Sequence, residues 1–226
     1  MSPRVRPAVA SALLVAALAA PPADARLVTR RVGAPPLPDR VAAAKVRRAH
    51  FEPRPDNRAA THRVPTARQL RSFRRRSTNP YRDSVDGDFT GTTDEVLQWG
   101  AYKWGFSPDL FRAVAATESW WRMNTVGDNG DSFGLMQMRR PYHCCLPEMA
   151  HDAAFNVDYY GSMLRAYFDG RETWLNSAAP AQPYRAGDLW GSVGVWYSGQ
   201  WHVNDAVYVA QVQDYIARQV WFQPSF

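Results

Sequence analysis

Residues 114–138, VAATESWWRMNTVGDNGDSFGLMQM, place one Glu beside two Trp, ahead of a Gly/Asp/Asn-rich loop and a Gly-Leu-Met-Gln run. The helix expected to carry Glu118 starts at Pro108, and positions four apart share a face, so Leu110, Val114 and Glu118 stack on one apolar stripe. Burial there disfavours the ionised carboxylate, and the negative end of the helix dipole pushes the same way. A Glu that keeps its proton near neutral pH is a general acid. On the pattern alone, a Glu paired with a buried Arg or turned to solvent fits equally well. In the following loop Gly127, Gly130 and Gly134 allow tight turns and close approach to a ligand, while Asp128, Asn129, Asp131 and Ser132 add polar groups. The loop lacks the spacing and terminal Glu of an EF-hand, so neither metal nor cofactor is expected.

The elements that must position these residues lie in 86–226. TTDEVLQWGAYKWG reads as a helix with Thr92 or Thr93 as N-cap and Gly105 at its end. SPDLFRAVAATESWW follows with Ser107 as N-cap and Pro108 at N1. DAAFNVDYYGSMLRAYFDG, AGDLWGSVGVWYSG and DAVYVAQVQDYIARQVW supply three more helices. No alternating strand run stands out, so the fold class is mainly α, one domain of ordinary single-core size.

The N-terminal part has a different texture. Arg4 and Arg6, the apolar run AVASALLVAALAA and PPADA read as a signal peptide cleaved after Ala25, which predicts a secreted protein without a stable membrane span. Residues 26–85 are rich in Arg, Pro and Ala and show no sustained apolar period, which predicts a mostly disordered basic linker. The formal charge of +6 suits anionic polymers such as teichoic acids or phospholipids, whereas export argues against nucleic acid. The two cysteines, Cys144 and Cys145, are adjacent; small loop residues or a vicinal or intermolecular disulfide are the alternatives.

SPDLFRAVAATES, GDSFGLMQM, FNVDYYGSMLRAYF and GVWYSGQW together resemble the lysozyme-like superfamily, in particular soluble lytic transglycosylases and goose-type lysozymes. The resemblance implies a lysozyme-like helical domain with a groove for peptidoglycan glycan strands, acting as a monomer. It implies that Glu118 is the catalytic acid, that Ser119, Met136 and Gln137 line the groove, and that Tyr197 lies beside the acid. Asn156 and Gly161 match a helix that packs against the catalytic helix. The motif at the Tyr differs, because Ser198 and Gly199 replace its Asn and Ala. Phe133 and Tyr142 join the aromatic set around the motifs, with Trp120, Trp121, Trp196 and Trp201; at least half of the Trp are expected in the core. A lone loop residue such as His143 is expected to be exposed.

Glycosidic cleavage ordinarily needs two carboxyl groups. Enzymes similar to lytic transglycosylases use one, as acid and then as base toward the 6-hydroxyl of the same sugar. Asp128 matches one of two aspartates of goose-type lysozymes, but Arg139 occupies the place of the other. The resemblance therefore favours a lytic transglycosylase cutting between N-acetylmuramic acid and N-acetylglucosamine. A muramidase using Asp128 as second carboxylate is the runner-up. A non-catalytic wall-binding protein and a glycosidase for another amino-sugar polymer are the remaining alternatives.

Overall fold

The computed structural model describes residues 26–226, so the expected signal peptide lies outside the described residues. The helices are α1 (Asp39–Ala43), α2 (Arg58–Thr61), α3 (Ala67–Arg76), α4 (Thr93–Trp104), α5 (Pro108–Ser119), α6 (Glu148–His151), α7 (Ala153–Phe168), α8 (Leu189–Ser198) and α9 (Ala206–Arg218). The centre is α7, whose every residue is buried. It packs on α4 and α8, while α5 lies between α4 and α9. Among the described residues no helix is long and apolar enough to cross a membrane.

Local chemistry sets the helix limits where expected. Thr92 and Glu95 form a capping box at the start of α4, and Gly105 closes it in the left-handed conformation at φ 80°. Ser107 caps α5 by accepting from the Asp109 backbone N–H at 3.2 Å, with Pro108 at N1. Gly161 lets α7 approach α4 closely, since a Cβ there would stand 2.2 Å from the Trp104 ring. The partner of Gly161 is thus α4 rather than α5, the helix that carries Glu118.

A three-stranded antiparallel sheet, β1 (Val126–Gly127), β2 (Ser132–Phe133) and β3 (Met138–Arg139), was not visible in the sequence. Its strands have two residues each, too few to display an alternation. Cys144 and Cys145 are joined by a disulfide, the second of the alternatives above.

The expectation of a disordered 26–85 linker is overturned. Leu27, Val46, Phe73 and Val85 are buried, and Phe73 meets Phe155 and Tyr159 edge-on. Arg165, 1% exposed, donates to the carbonyl of Arg30 at 3.3 Å and to that of Arg31. Asn79 donates to the Ser162 hydroxyl at 2.5 Å. Lys103 lies buried among Asp39 (2.7 Å), Asp86 (2.9 Å) and Asp158 (2.8 Å). Burial alone would lower the Lys103 pKa, but Asp158 and Asp86 outweigh it and hold the ammonium charged above its usual range. These anchors are single residues spaced irregularly along the segment, so no period betrays them.

Candidate active site

Leu110 and Val114 are fully buried on α5, and Glu118 continues their face one turn further, only partly exposed. The helix stops immediately after Ser119, because Trp120 and Trp121 both take positive φ, 55° and 58°. Such a conformation costs a non-glycine residue about 1 kcal/mol or more and needs support. Support comes from inside the helix, where the Trp120 and Trp121 N–H groups donate to the Ala116 and Ala115 carbonyls at 3.1 and 3.3 Å. The Trp121 indole adds a bond to the Arg112 carbonyl at 2.8 Å. It also comes from the N-terminal segment: Arg54 donates to the Trp120 carbonyl (2.9 Å) and Asn57 to that of Trp121 (2.7 Å). The segment expected to be a tether thus clamps the end of the helix that carries the acid.

The Tyr208 hydroxyl of α9 donates to Glu118 Oε1 at 2.5 Å. Burial pushes the Glu118 carboxyl up to about 7; the Tyr208 bond opposes this, the Asp128 charge reinforces it and the Trp196 indole opposes it weakly. Tyr208 stays neutral, its own pKa driven well above the usual value by burial first and then by Glu118. Tyr208→Phe removes a donor that favours the ionised carboxylate. The Glu118 titration midpoint, followed by carbon NMR of labelled Glu side chains, should therefore rise by on the order of one pH unit. A midpoint that stays in place or falls would show that Tyr208 does not set it.

Asn156 of α7 pins the hairpin and α6, accepting from the Met136 N–H at 2.9 Å and donating to the Phe133 (3.0 Å) and Met149 (2.7 Å) carbonyls. Gly134, at φ 80°, passes so near that a Cβ would stand 2.5 Å from the Asn156 amide nitrogen. Gln137 folds back across the hairpin, donating to the Thr125 (3.2 Å) and Gly134 (3.0 Å) carbonyls.

Of the residues expected to bind substrate, Gln137, Tyr142 and Tyr197 line one cavity of about 610 Å³, together with Trp196 and Trp174. Phe133 lines a different cavity, beside Met123 and Leu146. Ser119 is buried and donates to the Leu135 carbonyl at 2.9 Å, and the Met136 side chain is wholly buried; both hold the hairpin to α5 and the core instead of lining a groove. Tyr197 is 62% exposed and stacks on Tyr208, ring centroids 4.8 Å apart, and the hydroxyl that bonds Glu118 is that of Tyr208. His143, expected to be exposed, is mostly buried against Trp196 (5.1 Å) and held neutral, burial pushing its pKa down to about 4. Trp121 and Trp201 are core residues, and Trp120 and Trp196 are partly buried against the core.

Asp128 reaches Glu118 only through its charge. Its carboxylate accepts from the Ser132 hydroxyl at 2.6 Å and lies 3.5 Å from the Arg139 guanidinium. Asp131 is paired with Arg140 at 2.5 Å.

No known family model and no curated protein matches this chain. What the chain could do at this site therefore has to be read from the groups themselves. Glu118 does not line the aromatic cavity, but Trp196, on its wall, and Tyr197, through Tyr208, connect the two. A carboxyl poised near pH 7 with a fixed hydrogen-bond partner can give and take a proton at physiological pH, and exposed aromatic faces beside it suit the apolar faces of sugar rings. Tyr208 carried one signal in the sequence: it shares a helix face with Val212, and a buried Tyr needs a partner for its hydroxyl.

Proposed function

We propose that this protein is an exported, lysozyme-like peptidoglycan-cleaving enzyme of the lytic transglycosylase type. The observation that carries the reading is Glu118, a carboxyl on a buried helix face with its pKa near 7, bonded to Tyr208 and adjoining an aromatic cavity. In this reading protonated Glu118 gives its proton to the bridging oxygen between N-acetylmuramic acid and N-acetylglucosamine. The C1–oxygen bond breaks through an oxocarbenium-like state. The Glu118 carboxylate then takes the proton of the 6-hydroxyl of the same muramic acid, whose oxygen closes onto C1. The product is the 1,6-anhydro sugar, no water is consumed, and Glu118 ends protonated as it began. Tyr208 donates to the carboxylate in the interval and keeps it aimed. The exposed arginines of α3, Arg68, Arg71, Arg75 and Arg76, would hold the enzyme near anionic wall polymers.

A muramidase reading requires Asp128 to activate water. The Arg139 and Ser132 contacts of Asp128 favour the single-carboxylate scheme, because both engage its Oδ2 with partners other than a water. Mass spectrometry of purified peptidoglycan digested by the mature protein separates the two: anhydro-muropeptides support the transglycosylase and reducing-end muropeptides the hydrolase. Asp128→Asn should cost less than about tenfold in rate, against the roughly 10²–10⁴ expected when a general base is lost. Binding to the wall with no product released would leave a non-catalytic binding protein.

A further inference from the structure

The cavity lined by Trp196 and Tyr197 is also lined by Glu172, in the loop after α7, whose carboxylate the reaction above does not use. Its Oε2 accepts from the Trp174 indole N–H at 2.7 Å. A carboxylate has about four acceptor positions, so one donor leaves most of its capacity unused. Among the described residues no cation pairs with it. The adjacent Arg171 lies instead over the Tyr81 ring, 5.9 Å away. Partial burial raises the Glu172 pKa, and the Trp174 bond opposes the rise, so the pocket itself disfavours the bare charge.

The other walls narrow the chemistry of a ligand. Tyr142, Trp174 and Tyr197 are among the few large apolar side chains left exposed, and all three face this cavity. The cation of the cavity, Arg139, pairs with Asp128 and lies 5.3 Å from the Tyr142 ring. His143 is neutral. The wall of the cavity thus carries a paired cation at Arg139 and, among the described residues, a carboxylate without a cation at Glu172. A carboxylate beside an open indole, without a cation of its own, is an environment that holds an ammonium through an ion pair and a cation–π contact.

We propose that Glu172 and Trp174 form a recognition site for a primary ammonium group carried by the polymer substrate, in the cavity that Trp196 and Tyr197 also line. The site rests on the glycan reading above. Two sources supply that group: a de-N-acetylated amino sugar in the strand, or the side-chain amine of a diamino acid in a peptide attached to it.

The test uses the full chain with Glu118→Gln to prevent turnover, and ligand pairs that differ only in acetylation of the amine. The first pair is glucosamine and N-acetylglucosamine tetramers. The second is one disaccharide-peptide with its diamino-acid amine free or acetylated. Calorimetric titration should show the free-amine member of one pair binding roughly tenfold more tightly. The pair that discriminates identifies the source. Adding Glu172→Gln should bring that ratio to near one, and Glu172→Asp, which keeps the charge, should retain part of it. The N-acetylglucosamine tetramer reports whether each variant still folds and binds. Equal affinities within both pairs, or a preference that survives Glu172→Gln, overturns the proposal. If peptidoglycan yields no products while the preference is present and depends on Glu172, the cleavage reading fails and the ammonium site stands. Cleavage without any preference leaves the enzyme standing and removes the ammonium site.

Discussion

Glu118→Gln should abolish peptidoglycan cleavage and at the same time make the protein more stable at and above pH 7. The amide cannot donate the proton that the leaving oxygen needs, and loss of a general acid costs roughly 10²–10⁴ in rate. The stability change follows from the same burial. The folded-state pKa of about 7 lies above the ordinary 4.5, so the folded protein holds this proton more tightly than the unfolded chain does. That contribution is fully present below about pH 4.5 and is lost as pH rises through 7. Above pH 7 the wild type folds with a partly buried ionised carboxylate, a penalty on the order of 1–3 kcal/mol. The substituted amide carries no charge and can still accept the Tyr208 bond. Urea denaturation of the two proteins should therefore converge at pH 4 and separate by pH 8, the variant being the more stable. The wild-type pH–rate profile should fall on its alkaline side near 7. Equal stability at pH 8, or wild-type cleavage undiminished well above pH 8, would mean that the carboxyl is an ordinary solvated Glu.

Lys103→Met should destabilise the fold by about 3–5 kcal/mol at pH 7, because it leaves the carboxylates of Asp39, Asp86 and Asp158 without their common cation. Asp158 is completely buried, and its bonds from the Trp104 indole (2.7 Å) and the Gly87 backbone N–H (3.0 Å) cannot replace a charge. The deficit should shrink toward pH 5, since Asp39, pushed up to about 6 chiefly by burial, and Asp158, also raised by burial, take up protons more readily than ordinary carboxylates. Denaturant titration gives the difference directly, and for a chain of this size the melting temperature should drop by roughly 10 °C. Because Asp39 lies in the Arg/Pro-rich N-terminal part, the variant should also make residues 26–50 more susceptible to proteolysis. A change under about 1 kcal/mol would mean that this segment is not docked through Lys103.

The helices of the C-terminal part were legible because their signals are local. A capping box at Thr92–Glu95, Ser107 with Pro108, and glycines at 105, 170 and 199 act within a few residues of themselves. The apolar stripe of α5 was legible for the same reason, and it carries Glu118 inward wherever the helix is packed. The small sheet, the docking of residues 26–85 and the residue that touches the acid were not legible, because each depends on groups distant in sequence. Phe73 needs Phe155 and Tyr159, Asn57 needs the carbonyl of Trp121, and Tyr208 lies 90 positions from Glu118. Single anchors of this kind have no periodicity, and an Arg- and Pro-rich composition hides them behind the pattern of a solvated chain.

By itself, then, the sequence determined the five longer helices of 86–226, roughly where they end and that one carboxylate falls on an apolar helix face, since propensity, capping and helical period act over one or two turns. Only the tertiary structure decided what that carboxylate meets. It brought the Tyr208 hydroxyl to Glu118, drew Asp128 to Arg139, and stacked Tyr197 of the aromatic cavity on Tyr208. A pKa and a hydrogen-bond partner are properties of what packs around a group, and packing brings together residues that the linear order keeps apart.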